Sequence, residues 1–309
     1  MADGVVTLLN SSIRSRAVIS SGTLFLLIGC GGGGTTSDGG AVGGGASPPA
    51  TTSYTAVGNA ASVNVILSGG AVTGFSTVNL SNSASQGATV LDSDGSVTKF
   101  NLSNASGSVS FDKSAGDTIV TTTVGGVTVV GAEKGGALAT VVDLAESGIG
   151  VYMATSDGIN GFGATTYYGY PNSITTFNPT GLATYTGGAI GLYGATGSAP
   201  MLTTASMTAA ANFNTDTISL STTGTEGFNA ATGASLGAYA TLDITASNLT
   251  DPDGDNKFIG NISNGAGLTG SAEIALFGSA AQEASGIGSV TDNNAAPTKV
   301  HLVAFSGNK

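Results

Sequence analysis

The sequence predicts an all-β protein, with an eight-stranded antiparallel barrel in its C-terminal part and a smaller β-rich region before it. Gly supplies 50 of the 309 residues and Trp is absent, a composition that favours short strands and tight turns over long helices. Apolar residues alternate with period two in many short runs after residue 53, as half-buried strands require. Turn pairs such as Asp94-Gly95 separate the runs, because Gly adopts the positive φ angles of a hairpin turn.

The charge of the chain argues against a nucleic-acid partner. It carries 8 Lys and Arg against 19 Asp and Glu, for a formal charge of −11. Both arginines, Arg14 and Arg16, lie within the first 29 residues. The chain that follows them repels a phosphate backbone.

Residues 1–29 have the features of a lipoprotein signal peptide. A basic segment precedes residues 17–28, an apolar run that is shorter than the roughly 20 residues needed to span a bilayer and fits a signal-peptide core. The run ends in LIGC, which resembles a bacterial lipobox. The resemblance implies that Cys30 is acylated and becomes the mature N-terminus, which anchors the protein to the membrane. A buried free cysteine is the alternative.

Two segments follow the signal peptide. Residues 30–53 comprise Cys30 and a Gly-rich stretch that ends near Pro48-Pro49, which predicts a flexible linker. Residues 54–148 contain several period-two runs and a Thr- and Val-rich stretch at 118–130, which predicts an N-terminal β-rich region.

Residues 149–309 are predicted to form the barrel. Residues 149–155 are its expected first strand, and eight further strands are expected to start near Ala183, Thr203, Asp216, Gly237, Lys257, Thr269, Ser285 and Lys299. In one of them, Ala240, Leu242, Ile244 and Ala246 share a face. Eight antiparallel strands close a barrel whose interior their own side chains fill.

Five segments of this region resemble, in order, motifs of transferrin-binding-protein-B-like surface lipoproteins. They are residues 181–187, 211–220, 258–260, 277–286 and 299–305. The resemblance implies a β handle before the barrel, and a surface lipoprotein that captures a nutrient carrier and passes it to a TonB-dependent receptor. The loops with which that family reads iron-loaded transferrin have no recognisable counterpart here, so the resemblance extends to the fold and not to the ligand.

A membrane-spanning pore is the alternative fold. Spanning barrels carry aromatic girdles and an outward apolar band. Here the 8 Tyr and 11 Phe are scattered, and outward strand positions carry Thr, Ser, Asp and Lys. The sequence therefore favours a barrel that lies outside the bilayer.

One motif points to an enzyme. Ser235 lies in GASLG, a literal GxSxG, and Asp243 and the only histidine, His301, follow it. A catalytic GxSxG needs a strained strand-to-helix turn, whereas a strand is expected after Gly237. A glycine-rich turn is the preferred interpretation, and His301 is expected to pack within the final strand.

A candidate calcium site comes from Asp251, Asp253 and Asp255. A calcium loop of the EF type would need Gly and Glu where the chain has Asn256 and Ile262. A hairpin turn closed by Asx hydrogen bonds is the simpler interpretation, so no metal and no cofactor are predicted.

Tyr167, Tyr168 and Tyr170 are the predicted ligand-binding residues. They lie in residues 161–181, a segment with little strand pattern, and tyrosines there offer rigid amphipathic contacts for a protein, glycan or haem surface. The alternative is that they pack over the mouth of the barrel.

Together these patterns predict a non-catalytic binding module on an outer-membrane, surface-exposed lipoprotein. Its expected partners are the membrane through Cys30, a protein ligand and a TonB-dependent receptor. A structural or adhesive coat protein is the alternative from another class. A serine hydrolase that uses Ser235 is the distant alternative.

Overall fold

Antiparallel pairing organises the described part of the chain into two nine-stranded sheets. A computed structural model describes residues 53–91, 97–104, 107–124, 127–143, 146–155, 157–169, 179–294 and 296–309. Apart from strands it contains two short 3-10 turns, Lys113–Ala115 and Ala240–Leu242. Within these ranges no helix has the length and apolar character that crossing a bilayer requires. The predictions for residues 1–52, including the signal peptide and Cys30, lie outside the described residues.

The first sheet has the strand order β4-β3-β2-β1-β9-β8-β7-β6-β5. Its strands are β1 (Ser53–Ser68), β2 (Ala71–Leu91), β3 (Val97–Asn104), β4 (Gly107–Asp112), β5 (Thr118–Val124), β6 (Val127–Lys134), β7 (Ala137–Asp143), β8 (Ser147–Thr155) and β9 (Asn160–Gly169). Gly69 and Gly70 join β1 to β2 with φ angles of 59° and 82°, the positive pair that a two-residue hairpin needs. The first and last strands of this sheet therefore meet at its centre, and β4 and β5 form its edges.

The second sheet closes into the barrel. Its strands are β10 (Leu182–Ala195), β11 (Met201–Asn212), β12 (Thr217–Asn229), β13 (Ser235–Ala238), β14 (Ile244–Thr250), β15 (Lys257–Asn264), β16 (Thr269–Phe277), β17 (Glu283–Thr291) and β18 (Lys299–Asn308). Strand β10 pairs with both β11 and β18, and β11 pairs with β12. All but β13 form the ring, which confirms the predicted eight-stranded antiparallel barrel.

Side chains fill the interior of the barrel. Tyr185 and Phe305 are fully buried there, with Phe258 beside them, as expected for a barrel of eight strands. Glycine makes room for the largest side chains: a Cβ on Gly286 would lie 2.5 Å from the ring of Phe305. The barrel is thus a packed core and not a channel.

The first sheet covers one wall of the barrel. Alternate residues of β18 divide between two cores: Val303 and Phe305 face the barrel interior, whereas Leu302 and Ala304 face the first sheet. The opposing face of the first sheet contributes a row of buried apolar residues, namely Ala61, Val63, Ile149, Val151 and Tyr167. Strands β10, β16, β17 and β18 supply the barrel side of this interface, so within the described residues the first sheet leaves the outer face of β12, β14 and β15 uncovered.

The sheet topology corrects two boundaries. Residues 149–155, predicted to begin the barrel, belong to β8 and pair with β7 and β9 of the first sheet. The division between the sheets therefore falls after Gly169 and not at residue 149. Residues 240–242, predicted as part of a strand, form a 3-10 turn, and β14 begins only at Ile244.

Candidate functional site

Tyr167 and Tyr168 lie in a strand and not in a loop. Both belong to β9, which pairs with β1 and β8, and each is only 2% exposed. The segment predicted to lack strand structure is therefore a strand up to Gly169, where its side chains pack on both faces. Direct ligand contact would require these two rings to leave the core. Tyr170 lies outside the described residues, so its predicted role stays a prediction.

The hydroxyl of Tyr167 reaches across to the barrel. It donates a hydrogen bond to the carboxylate of Glu273 on β16, and its ring lies edge-on to Phe277, with 6.1 Å between ring centroids. Burial, and then the charge of Glu273, raises the pKa of Tyr167 well above its usual range. The phenol is held as a neutral donor to a buried carboxylate, which is a structural role at the interface.

Two buried glutamates mark this interface. Glu273 also accepts a hydrogen bond of 2.6 Å from Nδ2 of Asn59. Glu283 accepts bonds from the backbone N–H of Glu146, at 3.1 and 3.2 Å, and one of 2.9 Å from Oγ of Ser147. A buried carboxylate needs such donors because burial removes its water. These bonds fasten the first sheet to the barrel.

Ser235 has none of the surroundings of a hydrolase nucleophile. It lies on β13, a short exposed strand, and its Oγ accepts the backbone N–H of Gly237 at 3.2 Å. A 3-10 turn and a strand follow it, so the strained strand-to-helix turn of the motif is not formed. The carboxylate of Asp243 accepts two bonds from Thr225, at 2.6 and 2.9 Å. Ser235 is thus hydrogen-bonded to Gly237 and Asp243 to Thr225, and neither bond links the two candidates.

His301 points into the barrel. Its Nε2 lies 3.0 Å from Oγ1 of Thr203, and its ring lies edge-on to Tyr193 at 6.1 Å between centroids. Its Nδ1 is buried and has no hydrogen-bond partner among the residues that the structure describes. Burial lowers the pKa of His301 to about 4. The histidine is a neutral core residue, as the sequence predicted.

The aspartate-rich loop between β14 and β15 is a hairpin turn. The carboxylate of Asp251 accepts three backbone N–H groups at 2.8 to 3.3 Å, from Gly254, Asp255 and Asn256. Asp255 also pairs with Lys257 at 3.2 Å. Among the described residues no three acidic, His or Cys side chains converge to hold a metal. The turn thus uses the carboxylate of Asp251, the first of the three, and calcium binding by Asp251, Asp253 and Asp255 stays a prediction.

A groove of about 880 Å³ crosses the free wall of the barrel. Strands β12, β14, β15 and β16 line it, together with Asn293 from the loop after β17. The polar side chains that line it are small and neutral, for example Ser221, Thr245, Ser247, Asn261, Ser263 and Ser271. Those lining residues include no charged and no aromatic side chain. The groove is thus a neutral surface of hydroxyl and carboxamide groups.

Strand register aligns hydroxyls into a row across this wall, here called the hydroxyl belt. Six successive strands each contribute one residue directly opposite the next: Thr186, Thr208, Ser221, Thr245, Ser263 and Thr269. Neighbouring strands are about 4.7–4.9 Å apart. The belt therefore repeats at that spacing, perpendicular to the strands, and its last four members line the groove.

Irregular pairing on both sides of β14 shapes the groove. The β12–β14 register shifts between Ile218 and Leu220, and the β14–β15 register shifts between Thr245 and Thr250. Such bulges bend a strand and increase its twist locally. Residues beside both shifts line the groove, namely Leu220 on β12 and Thr245 on β14.

Comparison with known proteins gives similarity to solved structures. No family model matches the chain, and a search of curated proteins finds no match. Transferrin-binding protein B from serogroup B Neisseria meningitidis aligns at 16% identity and a TM-score of 0.44, over 81% of this chain and 43% of that one. A double mutant of transferrin-binding protein B from Haemophilus parasuis aligns at 9% identity and a TM-score of 0.39, over 83% of this chain and 76% of that one. The chain thus spans less than half of the meningococcal structure.

Proposed function

We propose that this protein is a surface-exposed lipoprotein of the bacterial outer membrane that acts as a non-catalytic binding module. The groove on the free wall of the barrel is the observation that carries the proposal. The other candidate sites are occupied by structural bonds: Tyr167 by Glu273, Asp251 by its turn, and His301 by Thr203. A groove of about 880 Å³ lies within the size range of ligand sites.

The anchor of the module is the acylated Cys30. The lipobox-like LIGC and the Gly-rich residues after it support a folded part held away from the membrane on a flexible tether. A tether of this kind leaves the free wall accessible, whichever way the barrel turns. The membrane is the first partner in this proposal.

A soluble protein or solute is the proposed ligand, and a TonB-dependent receptor is its proposed acceptor. The motif resemblance in the C-terminal part supports both. The interface between the sheets supports a rigid display of the ligand, because apolar packing and two hydrogen-bonded glutamates fix the barrel on the first sheet.

A laterally assembled coat protein is the second candidate, and the edges of the first sheet favour it. Strands β4 and β5 each have one partner within the sheet. An unpaired edge is a template for another strand, so copies could join edge to edge. In that case purified protein forms concentration-dependent oligomers, which analytical ultracentrifugation detects.

Capture by immobilised protein tests the binding function. The chain is used with Cys30→Ser, which removes the lipid and leaves the folded part unchanged. Growth medium and host fluid are passed over three immobilised proteins. These are the protein with the wild-type groove, the double variant Thr245→Val with Asn261→Ala, and the control variant Thr184→Val. Thr184 is an exposed Thr of β10 outside the groove, so its hydroxyl is a matched control.

We expect the protein with the wild-type groove and the control to retain the same component of one fluid. The double variant should retain at least fivefold less of that component. Equal retention by all three proteins, or retention of nothing from either fluid, contradicts the proposed function.

A further inference from the structure

The lining of the groove selects against charged ligands. Its polar groups are hydroxyls and carboxamides, with no Lys, Asp or Glu among the described residues that line it. Recognition of a phosphate, sulfate or carboxylate uses cationic side chains or converging backbone N–H groups. A neutral lining offers an ionic ligand hydrogen bonds but no opposite charge in exchange for its lost hydration.

The lining also disfavours apolar ligands and extended peptides. Apolar pockets are lined by hydrophobic and aromatic side chains, whereas Ser, Thr and Asn dominate this groove. Peptides that bind by strand addition need a free sheet edge. The eight strands of the ring each pair on both sides, so the barrel wall offers no such edge.

The remaining chemistry is that of a neutral polyol. A hydroxyl group both donates and accepts hydrogen bonds, and a carboxamide offers a fixed pair of the two. A surface with regularly spaced hydroxyl groups can therefore hydrogen-bond to a ligand whose own hydroxyls are regularly spaced. The hydroxyl belt supplies one such group per strand, at a repeat of about 4.7–4.9 Å, from Thr186 on β10 to Thr269 on β16.

We infer that the ligand of the groove is a neutral glycan chain, which lies across the strands along the hydroxyl belt. This inference rests on the proposed binding function and names the class of its ligand. The belt extends beyond the groove onto β10 and β11, where Thr186 and Thr208 continue it, so the surface fits a polysaccharide better than a single sugar. Because no aromatic ring stacks on the sugar, each sugar unit binds weakly and affinity grows with chain length.

Affinity electrophoresis tests this inference on the full chain with Cys30→Ser. Native gels contain dextran, yeast mannan, laminarin or galactomannan, and parallel gels contain the charged polysaccharide alginate. We expect at least one neutral polysaccharide to retard the protein and alginate to leave it unretarded. The short oligosaccharides of the retarding polymer are expected to compete at least tenfold less well than the polymer, per sugar unit.

Variants locate the binding. Thr245→Val keeps the shape of the side chain and removes its hydroxyl; combined with Asn261→Ala it is expected to raise the apparent dissociation constant at least fivefold. Thr245→Ser retains the hydroxyl and is expected to bind like the wild type, as is the control Thr184→Val. Thermal melting of each variant shows that it is folded.

Retardation by none of the four neutral polysaccharides overturns the inference, and so does equal retardation of the double variant or retardation by alginate alone. The capture experiment separates this failure from that of the proposed function. If capture depends on the groove but no neutral glycan binds, the ligand class is wrong and the binding function stands. If capture does not depend on the groove, both are wrong.

Discussion

The phenol of Tyr167 on β9 donates a hydrogen bond to the carboxylate of Glu273 on β16, and this bond joins the first sheet to the wall of the barrel. Both side chains are at least 95% buried. The pair lies beside the apolar contact between Tyr167 and Phe277, so one residue serves both kinds of contact. Tyr167 was predicted to contact a ligand, and in the structure it lies at the interface between the first sheet and the barrel.

Removal of that hydroxyl should destabilise the fold. Tyr167→Phe keeps the ring and leaves Glu273 with one donor fewer, although Nδ2 of Asn59 remains at 2.6 Å. Loss of a buried bond to a charged group costs about 1–3 kcal/mol, which we expect as a lower midpoint in urea unfolding. Tyr239→Phe, at a half-buried tyrosine of the barrel, is the matched control. An unchanged midpoint for Tyr167→Phe would show that the bond contributes no stability.

Truncation of Tyr168 should lower stability without a specific effect on the groove. Its ring packs in the core of the first sheet, where it lies so close to β8 that a Cβ on Gly148 would be 2.5 Å from it. Replacement of a large buried aromatic residue by Ala costs about 3–5 kcal/mol. The measurements are the melting temperature and capture by Tyr168→Ala below that temperature. Reduced capture with an unshifted melting temperature would restore Tyr168 as a ligand contact.

Acid should weaken the fold through His301. Burial lowers its pKa to about 4, below the value of about 6.5 in an unfolded chain. As pH falls, the unfolded chain therefore binds the proton first. The stability that neutral His301 contributes is complete above pH 6.5 and is lost as pH falls from 6.5 towards 4, by about 3 kcal/mol.

Urea unfolding between pH 7.5 and 4.5 measures this loss. His301 is the only histidine of the chain, so His301→Gln should flatten the pH dependence in that window while the carboxylates titrate as before. Parallel curves for wild type and His301→Gln would contradict the burial argument.

Ser235 should not react as a catalytic serine. Its hydroxyl lies on the exposed strand β13, and His301 is inside the barrel against Thr203. We expect no labelling by a fluorophosphonate reagent, with a known serine hydrolase as the positive control. Specific labelling that Ser235→Ala abolishes would contradict the proposed non-catalytic function and indicate a serine hydrolase.

Acylation of Cys30 is the test of the anchor. The LIGC sequence leads us to expect that the protein expressed in a bacterium incorporates labelled palmitate and partitions into detergent. Cys30→Ala should lose the label and enter the aqueous phase. Ser37→Ala, in the predicted linker, should behave as the wild type does. Equal labelling of Cys30→Ala and the wild type would contradict acylation of Cys30.

The barrel strands were predictable because most of them alternate. Burial along β12 and β14 follows period two over most of their length, since one face meets the core and the other meets solvent. Strand β9 escaped prediction for the opposite reason. Its last seven residues are all buried, because one face meets the core of the first sheet and the other meets the barrel. A strand buried on both faces loses the alternating signal.

The groove could not be predicted from the local sequence. The hydroxyls of Ser221, Thr245 and Ser263 are neighbours only through the register of three strands, and the bulges around β14 set that register. The only local signal was a run of Ser, Thr and Asn at alternate positions, such as Asn261 and Ser263, and any solvent-facing strand shows it. Glu273 likewise had no distinguishing signal, and Glu283 stood out only as part of the motif at residues 277–286. Neither position indicated that the first sheet buries the carboxylate.

The pairing of β10 with β18 sets the order in which the chain can fold as it is synthesised. Until residues 299–308 emerge, β10 and β17 are open edges and the barrel stays unclosed. The same ten-residue strand carries Val300, Leu302 and Ala304 into the contact with the first sheet, so docking of the two sheets waits for it as well. The first sheet has all its strands once Gly169 is made, whereas closure of the barrel depends on the β10–β18 pairing, whose long sequence separation makes it slow to form. If the chain is exported unfolded, as the proposed signal peptide implies, premature closure of the barrel competes little with export.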